Sequence, residues 1–256
     1  MTIKTQYSKD KKTILEQSKE ISENFIEPAK IDSLPEPLSR YFHYVLPEQK
    51  RPINWVKIEQ TGWFRTDPKQ NWKPLKGEEY LTADPPSLLW LAKIKFLPFL
   101  NITVKDTYLN GKGHVWGQIL PKINVVNMEG ENINQGALIR CIAEMVWCPT
   151  ALFPSHYLKW EAIDENSAQA IITHQGIETQ AQFFINSTGQ ITEIRARRYK
   201  DDTLQPWSGK CRGYQDYDGI KLPTDLEAVW NLPNGDFSYA KLQVTNIEFN
   251  RTSPES

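Results

Sequence analysis

Arg140 and Glu144 stand four residues apart in LIRCIAEMVW, a spacing that puts two side chains on one face of a helix. Two chemistries fit. The pair is an intrahelical ion pair, worth roughly 0.2–0.5 kcal/mol at a surface. Or it stands at the mouth of a cavity, with Glu144 as general acid or base and Arg140 as the anchor for an anion. Asp106 extends the second option: in NITVKDTYL it shares a face with Ile102, Val104 and Tyr108, and a carboxylate on a buried face needs a partner or a raised pKa. The segment RARRY supplies further cations. Arg195 and Arg197 flank Ala196 and, with Tyr199, point either into the same concavity or to solvent.

Other reactive groups form no recognisable constellation. His43, His114, His156 and His174 fall on different elements without ligand-like spacing, so the sequence calls for no metal and no cofactor. His156 follows Ser155, yet no G-x-S-x-G turn exists to make a nucleophile of a serine. It remains a candidate helper for an acid-base group. Cys141 and Cys148 lie on one probable helix, roughly 10 Å apart along its axis at ~1.5 Å per residue, beyond the ~7 Å reach of a disulfide. All three cysteines therefore read as reduced and buried. The run DYDG, Asp216 to Gly219, reads as a turn rather than a calcium loop.

The elements that must position these residues are mostly strands. From Ile53 onward, runs rich in Val, Ile, Thr and aromatics alternate with polar residues: INWVKIEQTGWF, GEEYLTAD, SLLWLAKIKF, NITVKDTYL, GHVWGQIL and KINVVNME, then, after one helix, YLKWEAI through FSYAKLQVTNIEF. Asn110-Gly111, Thr188-Gly189, Asp218-Gly219 and Asn234-Gly235 mark hairpin turns between them. Connections so short leave no room for crossover helices, which excludes a doubly wound nucleotide-binding fold, and no glycine-rich phosphate loop is present. ADPPSLLW breaks or bends a strand at its two prolines. The fold class is mainly β: a large curved antiparallel sheet or half-barrel meander of roughly a dozen strands, with one helix in or across the concave face and helices at the N-terminus.

That helix is INQGALIRCIAEMVWC, capped by Asn132 or Asn134 and stopped at Cys148 by Pro149. The apolar segment after it, TALFPS, reads as a lid over the concave face. Upstream, residues from Ser8 to Phe25 carry Ile14, Leu15, Ile21 and Phe25 as a narrow stripe that can dock but not fold alone, and Leu38, Tyr41, Phe42 and Val45 form one face of a helix that Pro47 ends. These readings divide the chain into an N-terminal helical extension (1–30), a single β-rich domain (31–250) and a flexible tail (251–256).

Nine Trp, ten Tyr and ten Phe among 256 residues are either a thick core or the wall of an aromatic cavity. A net charge of -1 gives no general reason to bind nucleic acid. No stretch approaches the ~20 apolar residues of a membrane span. The first twenty residues, MTIKTQYSKDKKTILEQSKE, hold no apolar core of an export signal, so the expected setting is the cytoplasm.

Several segments in order carry a resemblance: LPEPLSRYFHYVLPE, YLTADPPSLLW, LIRCIAEMVWCPTALFPS with KWEAID after it, and TDLEAVWNLPNGDFSYAKLQVTNIEFN. Over roughly Ile31 to Asn250 the chain resembles a bacterial family of uncharacterised proteins, a domain of unknown function, some members of which carry membrane helices before the domain, a pattern from which this sequence is expected to depart. The resemblance implies a domain that is one unit and brings no activity with it. By architecture the expected fold is also similar to the half-barrel of bacterial lipoprotein carriers, whose concave face holds acyl chains.

The leading functional expectation is non-catalytic binding of a hydrophobic small molecule, lipid or acyl chain. Trp63, Trp90, Trp116, Trp147 and Trp160 would line or gate the cavity, and Arg140 or Arg197, beside Glu144, would hold a polar head group. The alternatives are an enzyme using Glu144 or Asp106 with Arg140 or His156, and a structural or protein-interaction module.

Overall fold

Turn chemistry accounts for the topology. The computed structural model describes residues 2–18, 26–47, 52–120 and 123–249. Six strands come first: β1 (Trp55–Phe64), β2 (Lys73–Thr82), β3 (Ser87–Leu97), β4 (Leu100–Leu109), β5 (Lys112–Leu120) and β6 (Ile123–Met128). Seven follow: β7 (Leu158–Asp164), β8 (Ser167–His174), β9 (Ile177–Ile185), β10 (Ile191–Lys200), β11 (Thr203–Tyr217), β12 (Ile220–Leu232) and β13 (Gly235–Phe249). They form one 13-stranded sheet in the order β6-β5-β4-β3-β2-β1-β13-β12-β11-β10-β9-β8-β7, in which β13 returns beside β1 to join two meanders. Asn110-Gly111 turns one hairpin with φ of 51° and 79°, the left-handed pair whose twist suits adjacent antiparallel strands. Gln175-Gly176, which has no Asn or Asp to advertise it, turns another at 51° and 78°. The two prolines of ADPPSLLW sit in the turn between β2 and β3, so they join strands rather than interrupt one.

Among the described residues there are four α-helices: α1 (Ile3–Gln17), α2 (Pro28–Asp32), α3 (Glu36–Val45) and α4 (Glu131–Glu144). α4 lies in the concavity and touches β3, β4 and β5 on one side and β9 and β10 on the other. Those groups belong to opposite wings of the sheet, which therefore curls around the helix into a half-barrel. Where the wings approach, Tyr108 on β4 and His174 on β8 share a hydrogen bond of 2.7 Å. Gly113 lets α4 come close to β5, since a Cβ there would stand 2.6 Å from the Ile133 carbonyl oxygen and 2.8 Å from the Ala137 Cβ.

α4 departs from expectation at both ends. Its N-cap is Gly130 at φ 118°, not Asn132 or Asn134, because the Asn134 Oδ1 accepts the Gly113 N–H at 2.7 Å instead. Its α-helical part ends at Glu144 and tightens into a 3-10 turn, Met145–Trp147, before Cys148 takes an extended-side conformation (φ −127°, ψ 64°) that suits a residue ahead of proline. α3 buries the face expected of it: Leu38, Tyr41, Phe42 and Val45.

α1 lies on the convex face. It occupies Ile3–Gln17 rather than Ser8 to Phe25, because the Thr2 side chain caps it by accepting the Thr5 N–H. Ile14 is buried as expected, whereas Ile21, Phe25 and the tail 251–256 lie outside the described residues. Tyr7 and Ile14 meet Tyr80 and Leu89, so β3 is buried on both faces, Leu88 and Trp90 inward and Leu89 outward. The dock includes a charge pair: Asp10 Oδ2 and Lys105 Nζ stand 2.5 Å apart with side chains 11% and 3% exposed. Removing one partner of such a pair strands the other charge. Asp10→Asn is expected to cost about 3–5 kcal/mol in a urea titration, and Lys105→Met added to it to recover most of that loss.

Candidate functional site

A row of cross-strand neighbours runs over the concave face of the first wing. Ile58, Glu79, Trp90, Asp106 and Val115 stand opposite one another across β1 to β5. Side chains so placed touch. α4 lays Arg140 over this row: its Nη1 donates to Asp106 Oδ2 at 2.6 Å, its Nε to Glu144 Oε1 at 2.9 Å, and its Nη2 approaches Glu79 Oε1 at 3.6 Å. The guanidinium carbon sits 4.9 Å above the Trp90 ring. Gln60 closes the network, donating to Glu79 Oε2 at 2.8 Å and accepting the Trp90 indole N–H at 3.0 Å.

Three carboxyl groups around one buried cation cannot all be ionised cheaply. Burial, then the neighbouring Glu144, hold the Glu79 carboxyl well above the ordinary carboxylate range, against the opposing pull of Arg140 and Gln60. The neutral form is therefore the favoured one for Glu79. A proton held there would join Glu79 Oε1 to Glu144 Oε2, two buried oxygens without a hydrogen-bond partner. Burial works against the Arg140 charge, but the neighbouring Glu144 and Asp106 outweigh it and keep the guanidinium protonated.

Beside this network lies a cavity of about 270 Å³. Trp90, Asp106, Arg140 and Glu144 form one wall, and the central and second-wing strands supply Phe64, Arg198, Trp207, Trp230 and Tyr239. Tyr239 is the extra residue of a bulge between Ala228↔Ala240 and Val229↔Ser238, which turns its ring inward. Its Oη accepts the Trp207 indole N–H at 3.0 Å and an N–H of Arg198 Nη1 at 3.4 Å, and its ring stacks on Trp230 at 6.0 Å.

Of the residues singled out from sequence, the structure brings Trp90, Arg140, Glu144 and Asp106 to this cavity. Strand alternation sends others out. Phe64 and Val115 face the cavity, so their neighbours Trp63, 49% exposed, and Trp116, stacked on His114 and bonded to Asn124, face away. Arg197 is exposed and donates to the Leu204 carbonyl. A register shift between Ile191 and Glu193 leaves Ile194, Ala196 and Arg198 facing inward, which puts Arg195, Arg197 and Tyr199 in the outward phase. Trp147 is fully buried with its N–H on the Pro223 carbonyl, and Trp160 bonds the Leu152 carbonyl and meets Phe183 edge-on. Both anchor the segment after α4. None of Met145 to Ser155 lines the cavity, so the expected lid instead seals the core, with Phe153 stacked 4.0 Å from Phe42.

Gln60, Glu79, Arg198, Trp207, Trp230 and Tyr239 were not readable as a site. In GEEYLTAD both phases hold buried residues, Glu79 inward and Tyr80 under α1, which hides the alternation. Ile194 carried a usable signal: its apolar side chain sets the inward phase two and four residues before Ala196 and Arg198. His156 is exposed beside Tyr157 and far from helping Glu144 in this cavity. Burial pushes the Cys148 and Cys211 thiols up to about 12 and holds the Cys141 thiol well above its ordinary value, which removes thiolate chemistry near neutrality. Among the described residues no cluster of His, Cys, Asp and Glu could hold a metal ion, and no helix is long and apolar enough to cross a membrane.

A curled antiparallel half-barrel around a buried helix, with an aromatic cavity beside it, defines the class of this protein. It belongs to a family of unknown function, DUF6920, whose profile matches residues 32–249. Among curated proteins none matches the sequence. Solved structures with a similar course include a domain named for outer-membrane lipoprotein sorting from Vibrio parahaemolyticus (10% identity, 90% of this chain and 94% of that one, TM-score 0.45). A DUF1329 family protein from Desulfovibrio piger is similar at 14% identity (88% and 94%, TM-score 0.48). A LolA superfamily protein from Nitrosomonas europaea is similar at 12% (90% and 96%, TM-score 0.41).

The raised Glu79 pKa makes stability depend on pH. An unfolded glutamate titrates near ~4.3, so the contribution of this proton is complete below that value and is lost as pH rises toward the higher folded value. Between pH 5 and 8 the protein is expected to lose stability by at most about 1.4 kcal/mol per pH unit relative to Glu79→Gln, which keeps a neutral donor at every pH. Urea midpoints of both proteins across that range provide the check.

Proposed function

We propose that the protein binds a small hydrophobic or acyl-chain molecule in the cavity beside α4 and does not transform it. The observation that carries this reading is a cavity of about 270 Å³ whose wall is mostly aromatic and aliphatic, with a few polar groups converging on it. That combination is the usual one for small-molecule sites. The catalytic alternative is weakened because Glu144 and Asp106 are both held in ion pairs with Arg140, which ties them to the contact between helix and sheet. Arg140 for the same reason clamps the helix to the sheet rather than anchoring a ligand.

Octan-1-ol titrated calorimetrically into the protein is expected to bind saturably. Ala228 lies on the cavity wall opposite Ala240 in register, and Ala228→Phe is expected to weaken that binding at least tenfold while the urea midpoint stays close to that of the parent. Absence of saturable binding, or equal binding by the filled variant, would move the assignment to a structural or interaction module.

A further inference from the structure

We infer that the ligand carries a carboxylate and that Arg198 receives it. This rests on the hydrophobic-binding reading above and adds the head group to it.

The two arginines of the cavity are in opposite states. Arg140 is surrounded by Asp106, Glu144 and Glu79, and its charge is spent inside the protein. Arg198 makes no ion pair among the described residues. Its guanidinium carbon lies 5.1 Å from the Trp207 ring and 5.9 Å from the Trp230 ring, and its one hydrogen bond goes from Nη1 to Tyr239 Oη at 3.4 Å. The Nε–H is shut off from solvent and has no acceptor. Tyr239 is in a complementary position: its oxygen receives two N–H groups, from Trp207 and Arg198, and its own proton meets no acceptor among the described residues.

An unpaired guanidinium and an unspent hydroxyl thus line one cavity. A buried donor without a partner is costly. A carboxylate placed against the guanidinium accepts its N–H groups and neutralises it, and stacking on the tryptophans holds the cation in place beforehand. An alcohol offers a single oxygen and no charge. An ammonium group would be repelled by Arg198 and drawn to the opposite wall, where three carboxyl groups surround one cation.

The test compares three probes of one chain length at pH 7: octanoate, octan-1-ol and octylamine, each titrated calorimetrically into the protein, Arg198→Met and Arg198→Lys. The expected pattern is octanoate at least tenfold tighter than octan-1-ol, the preference lost in Arg198→Met with octan-1-ol binding within twofold of the parent, and part of the preference kept in Arg198→Lys. Octanoate no tighter than octan-1-ol, or octanoate unaffected by Arg198→Met, overturns the inference while leaving apolar binding standing. Preference for octylamine overturns it in favour of the acidic wall. If no probe binds the parent protein, the hydrophobic-binding reading falls and the head-group assignment with it.

Discussion

Everything on the concave side depends on how one guanidinium is accommodated. A helix inside a curled sheet cannot bring an arginine with it unless the charge is paired and its donors are satisfied, since desolvating an isolated cation costs several kcal/mol. Arg140 meets that condition by taking Asp106 from β4, Glu144 from its own helix and the vicinity of Glu79 on β2. The network therefore fixes α4 to the first wing at a set rotation. With the helix so placed, β9 and β10 pack on its other side, and the half-barrel closes to the Tyr108 to His174 contact.

The same placement leaves space on one flank of the helix. Packing continues unbroken around Leu138, Ile142 and Trp147, but where Arg140 and Glu144 face the second wing the strands present Trp207, Trp230 and Tyr239 with Arg198 between them. One wing is polar and its cation is paired; the other is aromatic and its cation is not. A core built only for stability would gain from replacing such groups with apolar ones. The asymmetry is what a binding site needs: an inert, rigid wall and a wall that awaits a partner.

Much of the architecture was legible from local signals, because turns and alternation are local. Asn110-Gly111 and Asp218-Gly219 turn hairpins where their left-handed preference demands it, and the α3 face of Leu38, Tyr41, Phe42 and Val45 is buried as its spacing implies. Asp106 was legible as a carboxylate in need of a partner, for it shares a face with Val104 and Tyr108. What was not legible is which phase of a strand turns inward when something covers both faces or a bulge resets the count. α1 on the convex side buries Tyr80 and Leu89, so burial no longer distinguishes the two phases of β2 and β3. The irregularity after Ile191 put Arg198 inside where Arg197 was expected, and the bulge at Tyr239 brought in a ring that simple alternation could not assign. The segment after α4 misled for a different reason: TALFPS is apolar because it fills the core between α3 and the sheet, a place that only the tertiary structure defines.

The central claim is that this half-barrel holds a guest molecule. Native mass spectrometry of the protein as purified, followed by denaturing extraction of whatever accompanies it, tests that most directly. The account predicts a surplus mass of one small amphiphile per chain, acidic on extraction. A protein that purifies at its bare mass and remains there after incubation with acidic, neutral and basic amphiphiles would contradict it.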